Sequence, residues 1–186
     1  MTPAETAHEW LMARPLFLDT ETTGLDFPEA CEIAVVDTDG AVLLNSLVRP
    51  KSTIERGAQM VHGITPAMVA DAPTFDLLWP KLNVLLADRL VVIYNANFDL
   101  DVIANSQSAR GVVAGRACIN GVCAMKLYAL FHGEWNDYRQ SYRWQKLNRA
   151  IAQCGITLPD LHRALADAEA CRRLVHYMAA QGVRQP

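Results

Sequence analysis

The chain has 186 residues, 51% of them hydrophobic and 20% charged, with a formal net charge of −3. That length suits one domain with a substantial core. The acidic balance argues against broad electrostatic adhesion to a duplex or an anionic membrane, so a nucleic acid would have to be gripped locally.

No apolar run approaches the roughly 20 residues that cross a bilayer, and no basic segment followed by an apolar h-region opens the chain. A cytoplasmic protein with no membrane attachment is expected. The five cysteines, Cys31, Cys118, Cys123, Cys154 and Cys171, are odd in number and lack paired C-x-x-C spacing. They read as reduced core thiols rather than a zinc site.

Thr2-Pro3-Ala4-Glu5 has the form of a capping box with proline at the first helical position, which predicts a short helix to about Met12. Residues 1–14 read as a helical extension ahead of a main domain over 15–182. A strand from about Pro15 to Thr20 follows. Its alternation would put Asp19 and Glu21 on one face and Leu18 and Thr20 on the other. Two like charges so close are costly unless a cation or a shared proton relieves them; solvated acids at a strand end are the simpler alternative. Gly24 and Pro28 punctuate the next loop. The apolar runs Ile33 to Val36 and Ala41 to Val48 flank Asp39-Gly40 and predict a hairpin, so three strands open the domain.

Residues 50–71 show no regular pattern except at Thr65-Pro66, which suits the cap and first position of a short helix. From Thr74 to about Ala87 the spacing of Phe75, Leu78, Leu82, Leu85 and Leu86 predicts a helix, which Pro80 should kink or divide. Arg89 to Tyr94 reads as a strand, and Asn95 opens a helix to roughly Ser106. Ala117 to Met125 predicts a fifth strand, with Gly121 weighing against it. Residues 133–143 read as a polar, aromatic loop. Trp144, Leu147 and Ile151 then share one helical face up to Gly155. After Pro159 a last helix carries Leu165, Ala168, Leu174 and Met178 to Gly182. The change from hairpin to alternating strand and helix predicts a mixed sheet.

Three places combine an apolar element with acids at its end: Asp19 and Glu21, Asp99, and Asp167 preceded by His162. His162 and Asp167 stand about 140° apart around an ideal helix. They meet only if His162 precedes the regular turns and Asp167 lies one turn inside. Singly, His162 also fits a surface or capping histidine, and Asp99 an acid favoured by a helix N-terminus.

Together, Asp19-Thr20-Glu21-Thr22-Thr23-Gly24, Asn95-Ala96-Asn97-Phe98-Asp99 and His162-Arg163-Ala164-Leu165-Ala166-Asp167 resemble the three motifs of the DEDDh 3′–5′ exonucleases. This DnaQ-like family includes the proofreading subunit of bacterial DNA polymerase III, oligoribonuclease and ribonuclease T. Val61-His62-Gly63-Ile64 resembles a further family segment, and the likeness covers about residues 15 to 180.

The resemblance implies an α/β, ribonuclease H-like fold: a mixed five-stranded sheet, three antiparallel strands then two parallel, flanked by helices. It implies that Asp19, Glu21, Asp99 and Asp167 hold two Mg²⁺ or Mn²⁺ ions and that His162 is a general base. The implied reaction is removal of nucleoside 5′-monophosphates from the 3′ end of single-stranded DNA or RNA. Oxygen-only ligands suit these ions better than zinc. In the same resemblance Thr22, Thr23, Gly24 and Leu25 would contact the terminal nucleotide, while His62, Asn95 and Phe98 line the cleft; core packing is the other account of Phe98. Tyr94 stands where the family often has histidine, a departure expected to bear on substrate fit. Arg139, Arg143, Lys146 and Arg149 lie near helical spacing and read as upstream phosphate contacts or as a solvated face.

Two alternatives stand beside this. A haloacid dehalogenase-like phosphatase also ends its first strand in Asp-x-Asp-x-Thr, but here the second acid is Glu21 and a partner lysine and acidic pair are lacking. A silent module that binds nucleic-acid ends or a polymerase would lack some of the five catalytic positions, and all five are filled. A DNA polymerase is the candidate protein partner. The chain ends soon after its last helix, without a long tail for tethering, so a free-standing nuclease is the simpler expectation.

Overall fold

The computed structural model describes residues 1–112, 119–157 and 162–182. Its frame is a five-stranded sheet of β1 (Leu16–Thr22), β2 (Ala30–Asp37), β3 (Val42–Leu47), β4 (Leu90–Ile93) and β5 (Asn120–Cys123). The spatial order is β3-β2-β1-β4-β5, with β1, β2 and β3 antiparallel and β1, β4 and β5 parallel. This is the ribonuclease H-like arrangement. β1 and β2 are buried on both faces, which is why their sequences are nearly continuous apolar runs rather than alternating ones. The β2–β3 turn is tied by Asp37, whose Oδ1 accepts from the amides of Asp39 (2.9 Å) and Ala41 (2.8 Å), and Gly40 supplies the left-handed φ of 92°.

Helices cover both faces. On one side lie α4 (Phe75–Leu86) and α5 (Ala96–Ala109), packed on Leu16, Leu18, Val91 and Ile93. On the other, α1 (Pro3–Met12), α6 (Ala124–His132), α7 (Leu147–Gln153) and α8 (Ala164–Gly182) enclose Phe17, Val36 and Val92. α1 carries the expected capping box: Glu5 N–H donates to Thr2 Oγ1 at 3.2 Å, and Thr2 N–H to the Glu5 carboxylate at 2.7 Å. It lies along α8, where a Cβ on Gly182 would sit 2.9 Å from that of Ala4.

Several local expectations are corrected. Residues 56–62, within the stretch read as irregular, form α2 (Arg56–His62), capped by Gly63 at φ 72°. It lacks a periodic apolar stripe, since only His62 is buried. α3 (Pro66–Val69) follows as expected. Pro80 does not divide α4, because Phe75, Leu78, Trp79, Leu82 and Leu86 bind its other face to the sheet while Pro80 is exposed; Leu85 is only half-buried. α5 continues three residues past Ser106.

The fifth strand is four residues long, and α6 takes over at Ala124, where Leu127, Tyr128 and Ala129 reach the core. Residues 117 and 118 of the expected strand, Cys118 among them, lie outside the described residues, as does Pro159. Residues 133–143 contain a small hairpin, β6 (Trp135–Asn136) with β7 (Ser141–Tyr142). Trp144 is exposed and precedes α7. Of the four basic residues thought to share a helical spacing, only Arg149 is helical, although all four are exposed. The described cysteines are free thiols, Cys31 and Cys171 buried, Cys123 and Cys154 half-buried. Among the described residues no helix is long and apolar enough to cross a membrane.

Candidate active site

β1 is the element that assembles the site. Phe17 faces α8, and the strand period therefore aims Asp19 and Glu21 the same way. Asp167 comes to meet them from the first turn of α8. Ligand oxygens of Asp19, Glu21 and Asp167 all lie within 4.8 Å of one another. On the opposite face, Thr20 receives α5. Its amide and hydroxyl both donate to Asp99 Oδ1, at 3.0 and 2.7 Å, which fixes this buried acid over the end of β1.

The electrostatics follow from that crowding. Burial, then the charges of Asp99, Asp167 and Glu21, hold the Asp19 carboxyl well above its ordinary range. Glu21 is pushed up to about 8 by burial, with Asp167 and Glu32 adding to it. Asp99 rises to about 7 through burial, although the Thr20 hydrogen bonds pull the other way. Asp167 is raised by burial and partly relieved by the His162 amide. A protein alone has little reason to concentrate such groups. An oxygen-only donor set whose members resist ionising together is the form expected of a site for hard divalent cations.

His162 stands two residues before α8. It lies outside α8 with φ of 77°, and its amide donates to Asp167 Oδ1 at 3.4 Å, so the backbone folds the exposed histidine back toward the acid five residues on.

The residue that holds this turn was not foreseen. Glu32 lies directly opposite Glu21 in the β1–β2 register and is 2% exposed. Its carboxylate accepts from Arg163 Nε at 3.0 and 3.2 Å, from Arg163 Nη2, and from the amide of Ala164 at 2.9 Å. A strand acid thereby caps α8 from outside the helix and grips the residue beside His162. The available signal was a glutamate inside the apolar run Ala30 to Val36, which is tolerated only when paired. A register shift between Glu21 and Thr22, with Cys31 as the extra residue of β2, bends the strands at this point.

The loop after β1 is built by its threonines. Thr22 Oγ1 donates to Gly24 O at 3.0 Å, Thr23 Oγ1 accepts from Glu29 N–H at 3.0 Å, and Glu55 N–H donates to Thr23 O at 2.8 Å. Gly24 lies under the Glu55 carboxyl, which a Cβ would meet. Leu25 is left 81% exposed, and Phe27, a neighbour without a sequence signal, 88% exposed at φ 46°.

His62 is buried, and both ring nitrogens serve this loop. Nδ1 accepts from Ile64 N–H at 3.0 Å, which leaves the proton on Nε2 to bond Thr22 O at 3.1 Å. Burial lowers its pKa, in keeping with a neutral ring. Asn95 is exposed and takes the left-handed conformation (φ 65°) at the start of α5. Phe98 is half-buried against the α4–α5 core, so packing accounts for much of its surface. Tyr94 is buried and spends its hydroxyl on Gln145 O at 2.8 Å.

A ribonuclease H-like sheet with acids gathered where β1, α5 and α8 meet defines the class of α/β nucleases. More narrowly, the chain belongs to the RNase T exonuclease family, whose profile matches residues 16–175. It is 36% identical to the uncharacterised exonuclease CP81 of Escherichia phage 186, over 97% of this chain and 96% of that one. Exodeoxyribonuclease 10 of Escherichia coli K12 is 34% identical over 75% of this chain and 63% of its own length. A DNA polymerase III subunit epsilon-like protein of Rhodobacter capsulatus is 31% identical, but the chain spans only 24% of it. Among solved structures, Exonuclease X in complex with 5′ overhanging duplex DNA superposes with a TM-score of 0.64 at 28% identity, covering 90% of this chain and 92% of that one. Exonuclease membership displaces the phosphatase alternative.

Proposed function

We propose that the protein is a metal-dependent 3′–5′ exonuclease that releases nucleoside 5′-monophosphates from single-stranded DNA or RNA. The observation that carries this is the convergence of Asp19, Glu21 and Asp167 within 4.8 Å, with Asp99 buried beside them and His162 at their exposed edge. Asp19, Glu21, Asp99 and Asp167 would hold two Mg²⁺ or Mn²⁺ ions. Such ions, when bound, lower the pKa of a water and offset charge on the phosphate and the departing 3′ oxygen.

The chain's own groups do the rest. The acids would fix where the cations sit and so, through them, where the scissile phosphate can bind. His162, free to reach solvent, accepts the proton of the attacking water, a contribution of roughly 10²–10⁴-fold. The Thr22-Thr23-Gly24 turn, held by His62, would present Leu25 as an apolar ledge for the terminal base, and Asn95 and Phe98 would line the same cleft. Base contacts of this kind are sequence-tolerant, as stepwise removal demands. A polymerase is the candidate protein partner, on the likeness to the epsilon-like protein.

The test is hydrolysis of 5′-labelled single-stranded DNA and RNA with Mg²⁺, Mn²⁺ or EDTA. A ladder shortening from the 3′ end only with metal is expected, and Asp19→Ala and Asp99→Ala should abolish it. Undiminished degradation by those variants would reject the assigned site. His162→Ala should keep metal binding, read by calorimetry, while turnover falls roughly 10²–10⁴-fold; unchanged turnover removes His162 from the base role.

A further inference from the structure

The hairpin between α6 and α7 carries a surface that the chemistry of the acid cluster does not use. Trp135, Tyr138, Tyr142 and Trp144 are all exposed, Tyr138 at 95% and Trp144 at 62%; Phe27 is the one other exposed aromatic among the described residues. Rings of this size ordinarily supply core area. Here they sit on strands of two residues each, and a hairpin that short is not stable alone.

It is instead pinned at its base. Arg143 N–H donates to Glu134 O at 2.8 Å, Gln145 Nε2 to Glu134 Oε2 at 2.9 Å, and Trp135 meets Tyr142 edge-to-face at 5.1 Å. Gln145 is buried and receives the Tyr94 hydroxyl. The base is therefore fixed while the remaining rings are offered to solvent.

The position of that base matters. β1 and β4 run parallel as far as Leu18 and Ile93; Tyr94 follows β4 and packs with Phe17 and Val92, on the sheet face from which Asp19 also projects. The hairpin is thus tied, through Gln145 and Tyr94, to the sheet face that carries Asp19. Its charge also differs from the chain's acidic balance: Arg139, Arg143 and Lys146 are exposed against Glu134 and Asp137. Arg143 pairs with Glu134 at 3.4 Å, whereas among the described residues no carboxylate pairs with Arg139. Asn136, Arg139, Ser141, Tyr142, Arg143 and Trp144 line a shallow cavity of about 220 Å³. That is below the roughly 300–1,000 Å³ of sites enclosing a drug-sized ligand, and leaves room for one flat group.

We infer that this hairpin is a second nucleic-acid subsite, which takes the single strand upstream of the 3′ end being cut. Bases stack on Tyr138 and Trp144, and a phosphate between them rests on the Arg139 guanidinium. Unpaired bases expose the π-faces that aromatic platforms bind, whereas a duplex keeps them stacked on each other; the partner is accordingly single-stranded. The inference rests on the exonuclease reading for the direction of the strand, but not for the binding itself.

The experiment separates the two. Binding of a long single-stranded oligonucleotide is followed by fluorescence anisotropy in EDTA, and cleavage of the same oligonucleotide and of a dinucleotide is followed with Mg²⁺. Tyr138→Ala/Trp144→Ala should weaken oligonucleotide binding roughly tenfold or more and raise its KM alike, with dinucleotide cleavage unchanged. Tyr138→Phe/Trp144→Phe should restore both. Arg139→Ala should reduce the slope of log K against log salt by about 0.7. Unaltered binding by the alanine variants overturns the subsite even if cleavage proceeds. A wild-type protein that binds the oligonucleotide but cuts neither substrate overturns the exonuclease reading and leaves the subsite standing.

Discussion

Glu32 and Arg163 show how unequal two ends of one ion pair are. The carboxylate is 3% exposed and the guanidinium 44%. Arg163→Ala would strand a buried charge facing Glu21, an error of about 3–5 kcal/mol. Glu32→Gln keeps an acceptor for the Ala164 amide and frees an arginine that already reaches water, so about 1–2 kcal/mol is expected. Urea unfolding of both variants checks the order; equal losses would mean that Glu32 is not the buried partner that matters. The four acids stood out as ends of apolar elements, while His162 and the proposed roles were legible only through the likeness to the three exonuclease motifs. Glu32 was visible as an anomaly, but its partner is 131 residues away and appears only when β2 and α8 meet. Likewise Tyr94 was legible as a departure from the family, while its bond to Gln145 depends on a loop that pattern cannot place.

Among elements, those with a continuous apolar stripe or an N-terminal cap written in the sequence, such as α1 and α3, were legible, and α2, which has neither, was not. The hairpin of β2 and β3, α4 and α8 follow from periodicity. α2 is defined by the left-handed Gly63 and by His62, whose ring ties it to Thr22. β5 is an edge strand of four residues, too short to show alternation before α6 begins. α4 is the case where packing overrides local preference. Pro80 removes a hydrogen bond to the carbonyl four residues earlier, a defect the buried stripe absorbs. Since Pro80 is on the exposed side of α4, Pro80→Ala should stabilise the protein by about 1–3 kcal/mol and raise Tm. A lower Tm in a thermal melt would show that the helix is bent there to fit the sheet.

For the molecule as a whole, the acid cluster sets a dependence on pH. With Glu21 raised to about 8 and Asp99 to about 7, the metal-free folded state holds protons that the unfolded chain has released. Stability therefore falls as pH rises through those values. His62, lowered by burial, works oppositely, but only below its ordinary value of 6.5. Between pH 6.5 and 8 the acids dominate, and a loss on the order of 1–2 kcal/mol is expected in EDTA. Mg²⁺ or Mn²⁺ should raise Tm more at pH 8 than at 6.5, because cations replace protons that are then absent. A flat Tm in EDTA over this window would deny the like-charge crowding.

The packing of α1 on α8 has a consequence in time. α1 precedes by about 150 residues the helix it lies along, Ala164–Gly182, where Ala4 meets Gly182. Until that later helix docks, the nascent chain has Asp19, Glu21 and Asp99 but not Asp167, and α1 has only its contacts with α6 to hold it. Docking of α8, the latest of the described helices in chain order, adds its side of the core and Asp167 in one step, so a ribosome-bound fragment that stops short of α8 carries Asp19, Glu21 and Asp99 without Asp167.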